Sequence, residues 1–446
     1  MTQQGGSKDI HDRRLRDLQQ RIHRVVAKGA DGLKDGSDDG LCIPAEALAP
    51  PVGPVPPLSG RGYHRLPKTA AMLVEWIGQN STPGAQVYVS VDGQEVASMA
   101  IGWARSGLSY SPGVMNSWLC CVKPILAIAF GQLWERGKVH PDVPVAQIVP
   151  EFGREGKGRI TFRQLLSHAA SLRPDPLLRV LLESRESQLD AIAKAKLPPE
   201  AQPGIEAYYS HAWAWFILAE AIERIDGRDF ASYARDEILT PIGSEFLLEL
   251  SRRDFLDVWP KLSLIFDLRE AQPRVADGSQ PGHFLLRCPG MMGLGSASAM
   301  GRIYEALLAA QRGTADSPVL MSTTVDALIR KDRTAAYDVH HDGFVGWGLG
   351  FMADGWFFGS ACSPRTFGHV GGLGLVALAD PANQVVIAFV LNGMIEKRKS
   401  EQRDRALADA IFADLGLTGR RPPPRIVDVD PPAMPTWSRH GFSDPD

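Results

Sequence analysis

The sequence predicts an α/β part, built on an antiparallel sheet flanked by helices, and an all-helical part, with a cleft between them. Three observations lead to this fold class. Apolar and polar residues alternate over residues 86–91, up to the tight-turn pair Asp92-Gly93, which indicates a β-hairpin. Residues 118–335 are mostly helical in pattern, and strand-like apolar runs return at residues 345–395. Strands at both ends of a helical insertion favour one discontinuous α/β domain beside an all-helical domain.

The domain limits follow from composition along the chain. Apolar residues at helical spacing predict a short amphipathic helix over residues 8–28, and the Gly-, Asp- and Pro-rich stretch 35–57 predicts an extended linker. The predicted limits are an N-terminal arm and linker at 1–65, a sheet domain at 66–117 and 336–420, a mostly helical domain at 118–335, and a Pro-rich tail at 421–446.

Periodicity also predicts individual elements within these limits. Helices are predicted at residues 69–78, 209–224, 228–239 and 397–415. Strands are predicted at residues 86–91, 95–103, 346–351, 373–378 and 384–391.

Composition excludes several function classes. The chain has 446 residues, 44% apolar and 22% charged, with a net charge of −3 at pH 7. A weakly acidic chain with interspersed charges does not favour nucleic-acid binding. No apolar stretch approaches the length of a membrane span, and the N-terminus lacks the apolar core of a signal peptide. We therefore expect a cytoplasmic protein that contacts neither nucleic acid nor membrane.

The cysteines point to thiol chemistry rather than to disulfides or metal binding. They are scattered and lack metal-ligand spacing, and reduced thiols are the simplest interpretation in the cytoplasm. We expect no metal and no cofactor, and the pattern leaves the oligomeric state open. The five cysteines are Cys42, Cys120, Cys121, Cys288 and Cys362.

A candidate nucleophile lies in the segment Cys120-Cys121-Val122-Lys123, at the start of the apolar stretch 124–130. Residues i and i+3 of a helix share a face, so the Cys120 sulfur and the Lys123 amine can meet inside the protein. A buried lysine loses proton affinity, and a thiol beside an amine at a helix N-terminus shifts toward thiolate. A small buried cysteine and a lysine that reaches solvent would show the same pattern.

Tyr209 is a candidate for proton transfer. It follows Pro203-Gly204 and precedes His211 by two residues. A tyrosine beside a lysine ammonium can be pushed toward phenolate and can move a proton to a leaving group. The competing interpretation is an aromatic side chain that simply packs before a helix.

A glycine-rich strand near the C-terminus is the third candidate. Residues 367–374 contain His369, Gly371 and Gly372. Glycines without side chains let the backbone approach a substrate closely. A glycine-rich strand bend with no role in binding would have the same composition.

The order and spacing of these motifs resemble the class C β-lactamases and their relatives. Residues 133–168 are similar to the segment after S-x-x-K in that family, with Cys120 at the serine and Lys123 at the lysine. Tyr209 stands at the tyrosine of Y-x-N, and His369 stands where K-T-G has its lysine, as in the H-x-G form. Penicillin-binding proteins, family VIII-type esterases and simvastatin-synthase-type acyltransferases are among the relatives. The resemblance covers roughly residues 66–415 and implies the β-lactamase-like α/β fold.

The resemblance also implies roles for these residues. Cys120 takes the place of the acylated serine, and its N–H forms the oxyanion hole with the N–H of Gly372. His211 replaces an asparagine, and Val370 replaces a residue with a hydroxyl group. The run 165–171 is expected to be structural. The predicted site is Cys120, Lys123 and Tyr209 for catalysis, with Gly371, Gly372, His211 and His369 for the oxyanion and the substrate.

A cysteine nucleophile favours some reactions over others. Its thioester intermediate reacts well with amines and thiols, whereas thiolates attack amides poorly. The leading hypothesis is an intracellular acyltransferase of specialised metabolism. It would move an acyl group from a thioester or ester donor, including CoA or carrier-protein thioesters, to an amine or hydroxyl acceptor. An esterase- or amidase-type hydrolase and a non-catalytic ligand-binding pseudoenzyme are the alternatives. Candidates for an aromatic lining are Trp213, Trp215, Phe284 and Trp347.

Overall fold

The computed structural model describes residues 43, 45–172, 184–199, 201–276, 279–314, 319–333, 337–338, 343–372 and 374–417. The predicted helix at residues 8–28 and the predicted tail at residues 421–446 lie outside this part of the chain. Of the predicted linker at residues 35–57, the described part includes a 3-10 helix at Ala45–Leu48.

The described elements follow one another along the chain. The helices are α1 (Pro67–Gly78), α2 (Lys123–Glu135), α3 (Phe162–Leu166), α4 (Arg185–Lys194), α5 (Trp213–Asp226), α6 (Phe230–Ala234), α7 (Arg252–Val258), α8 (Ala297–Arg312), α9 (Ser322–Ile329), α10 (Gly355–Phe358) and α11 (Lys397–Asp414). The strands are β1 (Ser59–Arg61), β2 (Gly84–Val91), β3 (Gln94–Arg105), β4 (Leu108–Ser109), β5 (Asn116–Ser117), β6 (Leu247–Leu248), β7 (Phe266–Asp267), β8 (Arg274–Val275), β9 (Gly293–Gly295), β10 (Tyr337–Asp338), β11 (Gly343–Phe344), β12 (Phe367–Val370), β13 (Leu375–Asp380), β14 (Val385–Leu391) and β15 (Gly393–Met394).

Seven of the described strands form one antiparallel sheet, in the order β1-β3-β2-β14-β13-β12, with β4 beside β3. Val390 pairs with Gln86, so the C-terminal strand β14 lies beside the N-terminal hairpin. All seven residues of β14 are buried, which explains its continuous apolar sequence. The predicted hairpin is confirmed, and its strands meet at the Asp92-Gly93 turn.

Helices cover both faces of this sheet. On one face, α8 packs against β2, β13 and β14. On the other face, α1 and α11 pack against each other, and Leu73 and Ile411 join the apolar cluster that includes Val87 and Leu378. An antiparallel sheet between helical layers, with a helical part beside it, confirms the predicted fold class.

The helical part is organised around α2, most of which is buried. This helix packs against α5, α6 and α9. The predicted helix at residues 209–224 begins at Trp213 as α5, and the predicted helix at 228–239 is α6 followed by a π-helical turn at Arg235–Leu239. The seven-stranded sheet includes β1, which falls inside the predicted N-terminal arm at residues 1–65. The predicted domain limits stay predictions.

The strand predicted at residues 346–351 is wrong. The segment makes isolated bridges instead, in which Trp347 pairs with Arg333 and with Met352. Gly350 has a φ of +83°, which ends an extended conformation and favours glycine. Its N–H donates to the carbonyl of Leu166 at 2.8 Å, so the segment turns toward the helical part rather than continuing along a sheet.

Candidate active site

Cys120 lies in a short 3-10 helix, Leu119–Val122, and α2 begins immediately after it at Lys123. The Lys123 N–H donates to the carbonyl of Cys120 and closes the turn. In a 3-10 helix the residues i and i+3 are eclipsed, so Cys120 and Lys123 share one side, as the sequence predicted for an α-helix. Leu119 before them has a φ of +44°, which is uncommon for a residue other than glycine.

Hydrogen bonds from Trp118 to a distant strand hold this turn in place. The indole of Trp118 donates to the carbonyl of Gly295 at 2.9 Å, and the Trp118 N–H donates to the carbonyl of Gly293 at 3.0 Å. Both acceptors lie in β9, which also pairs with β5 just before the turn. The strained backbone at Leu119 is therefore anchored to a strand more than 170 residues away in sequence.

Lys123 is fully buried at 0% exposure. Its ammonium donates to the carbonyl of Gly290 at 3.0 Å and lies over the rings of Tyr209 and Trp215, at 5.3 and 5.5 Å from their centroids. A main-chain acceptor and two aromatic faces replace part of the solvation that a buried cation loses. The solvent-reaching interpretation of Lys123 is thereby wrong.

The hydroxyl of Tyr209 is hydrogen-bonded to the side chain of Cys120. Burial raises the pKa of Tyr209 well above its ordinary value, and the neighbouring Cys120 raises it further. The expectation that Lys123 pushes Tyr209 toward phenolate is therefore wrong, because removal of the hydroxyl from water and its donation to sulfur outweigh the nearby ammonium. In this arrangement Tyr209 is a neutral phenol that can donate a proton.

Cys121 faces away from this group. Its thiol donates to the carbonyls of His369 and Leu375, at 3.3 and 3.7 Å. Burial raises the pKa of Cys121 well above its ordinary value, with a further contribution from Cys120. Cys121 is thus a protonated thiol that links the 3-10 helix Leu119–Val122 to β12 and to the start of β13.

The structure brings both predicted histidines to Tyr209. The ring of His211 meets the Tyr209 ring edge-on with centroids 4.9 Å apart, and the His369 centroid lies 6.2 Å from it. His369 is buried at 1% exposure, and its Nδ1 lies 2.8 Å from the carbonyl oxygen of Val370.

The two predicted glycines differ in their surroundings. Gly371 is buried, and a Cβ there would lie 2.7 Å from the side chain of Leu375. Gly372 is exposed with a φ of +73°, and open space surrounds its Cα. Among the described residues, the main-chain hydrogen bonds of turns and loops use neither the N–H of Gly372 nor that of Cys120.

Sequence reasoning missed the part played by His168, which lies in the run expected to be structural. Its ring stacks on Tyr209, with centroids 4.4 Å apart and an interplanar angle of 29°. Of the proposed aromatic lining, Trp215 lies under the Lys123 ammonium and Trp347 packs against Tyr209 at 5.7 Å. The spacing of the sequence offered no signal for these contacts, because they join segments about 40 to 140 residues apart.

The other two aromatic candidates lie elsewhere. Trp213 packs in the core of the helical part, and Phe284 stacks on Phe255 in a separate apolar cluster, with centroids 5.8 Å apart. Among the described residues, no group of three or more His, Cys, Asp and Glu side chains could hold a metal ion. Of the described helices, none is both long and apolar enough to cross a membrane.

A family model described as Beta-lactamase matches residues 68–411, which is most of the chain. The chain belongs to the beta-lactamase family. The Esterase/beta-lactamase LipL of Mycobacterium tuberculosis (strain ATCC 25618 / H37Rv) is 25% identical over 355 residues, covering 70% of this chain and 77% of LipL. As a member of this family, the chain is an enzyme of the hydrolase and acyltransferase type that works through a covalent acyl-enzyme, as predicted.

Solved structures of the same fold include two esterase-like proteins. A family VIII carboxylesterase superposes with a TM-score of 0.68 at 18% identity, covering 80% of this chain and 99% of its own. EstCE1, a hydrolase with promiscuous acyltransferase activity, superposes with a TM-score of 0.66 at 19% identity, covering 79% of this chain and 99% of its own. At such identities the likeness shows the fold alone.

Proposed function

We propose that the chain is an acyltransferase in which Cys120 carries the acyl group as a thioester. The observation that carries this proposal is the hydrogen bond between the Tyr209 hydroxyl and the Cys120 side chain, with the Lys123 ammonium over the Tyr209 ring. A thiol beside a hydroxyl that can relay its proton, with an ammonium over the ring of that hydroxyl, is suited to covalent acyl transfer.

The reaction has two balanced steps. In the first, Cys120 sulfur bonds to the acyl carbon, the bond from that carbon to the leaving group breaks, and the thiol proton reaches the leaving group through Tyr209. In the second, an amine or hydroxyl acceptor bonds to the same carbon, the carbon–sulfur bond breaks, and the acceptor's proton returns to the sulfur along the same route. The Lys123 ammonium lies over the Tyr209 ring, beside this proton route.

The negative charge that develops on the acyl oxygen needs an oxyanion hole. Among the described residues, the main-chain hydrogen bonds of turns and loops do not use the N–H groups of Cys120 and Gly372, which we propose as its donors. Two preorganised donors aimed at a developing oxyanion lower the barrier by about 3 kcal/mol each. Gly372 is exposed, so its N–H lies at the surface from which an acyl donor can enter.

The chemistry of sulfur favours activated donors. A thiolate exchanges readily with thioesters and esters. When it attacks an amide, the tetrahedral intermediate loses the thiolate more readily than the amine, so amides and β-lactams are poor substrates. Acyl thioesters of CoA or a carrier protein and simple esters are the donor classes we infer. We also infer a cytoplasmic setting, where the free thiols of Cys120 and Cys121 persist.

Intact-protein mass spectrometry with a panel of acyl thioesters tests the nucleophile. We expect the mass to rise by one acyl group, with the label on Cys120 after peptide mapping. Cys120→Ala should remove the adduct and lower kcat by at least about a thousandfold. Cys121→Ala is the matched neighbour and should keep the adduct. Turnover without any adduct, together with full activity of Cys120→Ala, would overturn the proposal.

Hydrolysis is the second candidate, and the likeness to the Esterase/beta-lactamase LipL favours it. Partition between acceptors separates the two reactions. If transfer is the reaction, added amines or alcohols divert product from free acid in proportion to their concentration. If water is the sole acceptor, the yield of free acid stays constant. The enclosure of Lys123, Tyr209 and His369, each under 5% exposed, supports transfer because it limits access of water.

A further inference from the structure

His168 is enclosed by the rings around the proposed proton donor. Its imidazole is 1% exposed and stacks on Tyr209 with centroids 4.4 Å apart. Trp347 meets it edge-on at 4.4 Å, and Trp215 lies 5.5 Å away. The face of the Tyr209 ring is thus supported by a side chain that can change its charge.

Hydrogen bonds show which form of His168 this arrangement needs. Its Nδ1 accepts the N–H of Ser210 at 2.9 Å. A main-chain N–H can only donate, so Nδ1 carries no proton here and the imidazole is neutral. The carbonyl of His168 also accepts the N–H of Tyr208 at 3.0 Å. His168 therefore binds the backbone on both sides of Tyr209 as well as its ring.

The backbone around His168 is held in place by a buried arginine. His168 has a φ of +55°, in the left-handed region, which a histidine adopts only when its surroundings impose it. The carbonyl of the preceding Ser167 accepts from Nε of Arg333 at 2.9 Å. Arg333 in turn pairs with the fully buried Asp338 at 3.2 Å.

A proton on His168 would disturb this group in two ways. It would remove the acceptor for the Ser210 N–H, and it would add a cation to an enclosed region that already holds Lys123 and Arg333. Like charges close together in a buried region repel strongly. The charged and titratable groups near His168 are Tyr209 against its ring, Lys123 over the Tyr209 ring, and Arg333 at the Ser167 carbonyl with its partner Asp338. His211 and His369 join the same group through their contacts with the Tyr209 ring.

We propose that His168 is a positioning residue for Tyr209 that works only as the neutral imidazole, and that its protonation disengages Tyr209 from Cys120. This inference rests on the proposed function for its consequence in turnover, but not for the geometry itself. An ordinary imidazole titrates near pH 6.5, so the effect belongs to the acid limb of the reaction.

Two variants separate the effect of the His168 hydrogen-bond acceptor from the effect of its ring. His168→Asn keeps an acceptor near the Nδ1 position, tolerates the left-handed backbone and does not titrate. His168→Phe keeps the ring but has no acceptor. The rate of Cys120 alkylation by iodoacetamide is measured from pH 5 to 9 in the full chain, by peptide mapping, with acyl-thioester turnover measured in parallel. Thermal unfolding confirms that each variant is folded.

We expect the wild-type alkylation profile to show an inflection on its acid side that His168→Asn lacks. In turnover, His168→Asn should keep kcat within about fivefold at pH 8 and lose less activity at pH 5.5 than the wild type. His168→Phe should lose at least about tenfold in kcat at every pH, with KM changed less than threefold. Alkylation profiles of wild type and His168→Asn that coincide would overturn the inference. Failure to form an acyl adduct in the wild type would instead overturn the proposed function and leave the alkylation result to decide on His168.

Discussion

The two adjacent cysteines have different surroundings, which separate the proposed nucleophile from a structural thiol. Cys120 contacts the Tyr209 hydroxyl and shares a side with Lys123, whereas Cys121 points to the carbonyls of His369 and Leu375. Burial raises the pKa of Cys121 well above its ordinary value. One residue of rotation in a 3-10 turn thus gives the two sulfurs different partners.

Selective alkylation tests this difference. With a small excess of iodoacetamide at pH 7.5, we expect Cys120 to react at least ten times faster than Cys121, because the nucleophile is the thiolate and Cys121 stays protonated. Cys362 serves as an internal control, since burial also raises the pKa of its thiol. Peptide mapping by mass spectrometry measures each site. Equal labelling of Cys120 and Cys121 would contradict the assignment of the nucleophile.

Among the elements, α1 begins without a side-chain cap of its own. Its N-cap residue is Leu66, and the missing acceptors come from Asp414, at the end of α11. The Asp414 carboxylate accepts from the N–H groups of Lys68 and Thr69, at 3.1 and 2.8 Å. The two outer helices of the sheet domain are therefore joined by a capping interaction between distant parts of the chain.

Removing this cap should weaken the fold and leave the chemistry intact. We expect Asp414→Ala to lower the free energy of unfolding by about 1–2 kcal/mol, the usual loss for a helix cap with a charged acceptor. Urea denaturation measures the change, and kcat should stay within twofold. Gln402→Ala, at an exposed position of α11, is the control. An unchanged midpoint for Asp414→Ala would show that the cap contributes nothing.

The loop before β9 places the acceptor for Lys123. Gly290 supplies that carbonyl, and a Cβ at this position would lie 2.7 Å from Cβ and Cγ of Trp215. Glycine is thus required by the close approach of α5 to the loop, and any side chain would push the carbonyl away from the ammonium.

We expect Gly290→Ala to lower kcat at least tenfold, because the Lys123 ammonium would lose its main-chain acceptor. The free energy of unfolding should fall by about 1–3 kcal/mol from overpacking. Gly113→Ala is the matched control, since open space surrounds Gly113 and its φ is ordinary. Steady-state kinetics and urea denaturation measure both variants. If Gly290→Ala keeps full activity, the carbonyl is not needed to place Lys123.

At the scale of the whole molecule, buried acidic hydroxyls and thiols make the fold sensitive to alkali. Burial raises the pKa of Tyr233 to about 12 and raises that of Tyr304 well above its ordinary value. A group with a raised pKa in the folded state keeps its proton after the unfolded chain has lost it. Stability is therefore full below the unfolded pKa, near 10 for tyrosine, and falls as pH rises above it.

Tyr304→Phe tests this dependence at one site. Its hydroxyl is buried and makes no hydrogen bond among the described residues, so we expect the variant to gain about 1 kcal/mol in free energy of unfolding at pH 8. Above pH 10 its loss of stability should be shallower than that of the wild type by up to about 1.4 kcal/mol per pH unit. Urea denaturation from pH 8 to 11.5 measures both effects, with the exposed Tyr63→Phe as control. Parallel curves for wild type and Tyr304→Phe would contradict the expected burial effect.

Much of the fold follows from local patterns that the sequence displays openly. The hairpin of β2 and β3 was predicted because alternation and a tight turn are properties of neighbouring residues. The same holds for β14, α1 and α11, whose apolar spacing is regular over more than one turn or several strand residues. The segment at residues 346–351 was mispredicted because its glycines serve turns toward Leu166, which no local pattern records.

In the candidate site, too, local spacing was predicted and contacts between distant segments were not. Cys120 and Lys123 were paired on one side from their spacing alone, and the motifs at Tyr209 and His369 were found in the family's order. The stacking of His168 on Tyr209 and the carbonyl of Gly290 at Lys123 were not predicted, since they join segments about 40 and 170 residues apart. The proton state of Tyr209 was predicted in the wrong direction, because spacing does not report burial.

Residue order was thus sufficient to identify the family and the antiparallel sheet and to propose a reactive sulfur, since each depends on patterns at short intervals along the chain. Folding in three dimensions added the environment of that sulfur. Burial, main-chain acceptors and stacked rings arise only when distant segments meet, and the proposed reaction depends on the protonation that they favour at Tyr209, His168 and Cys121.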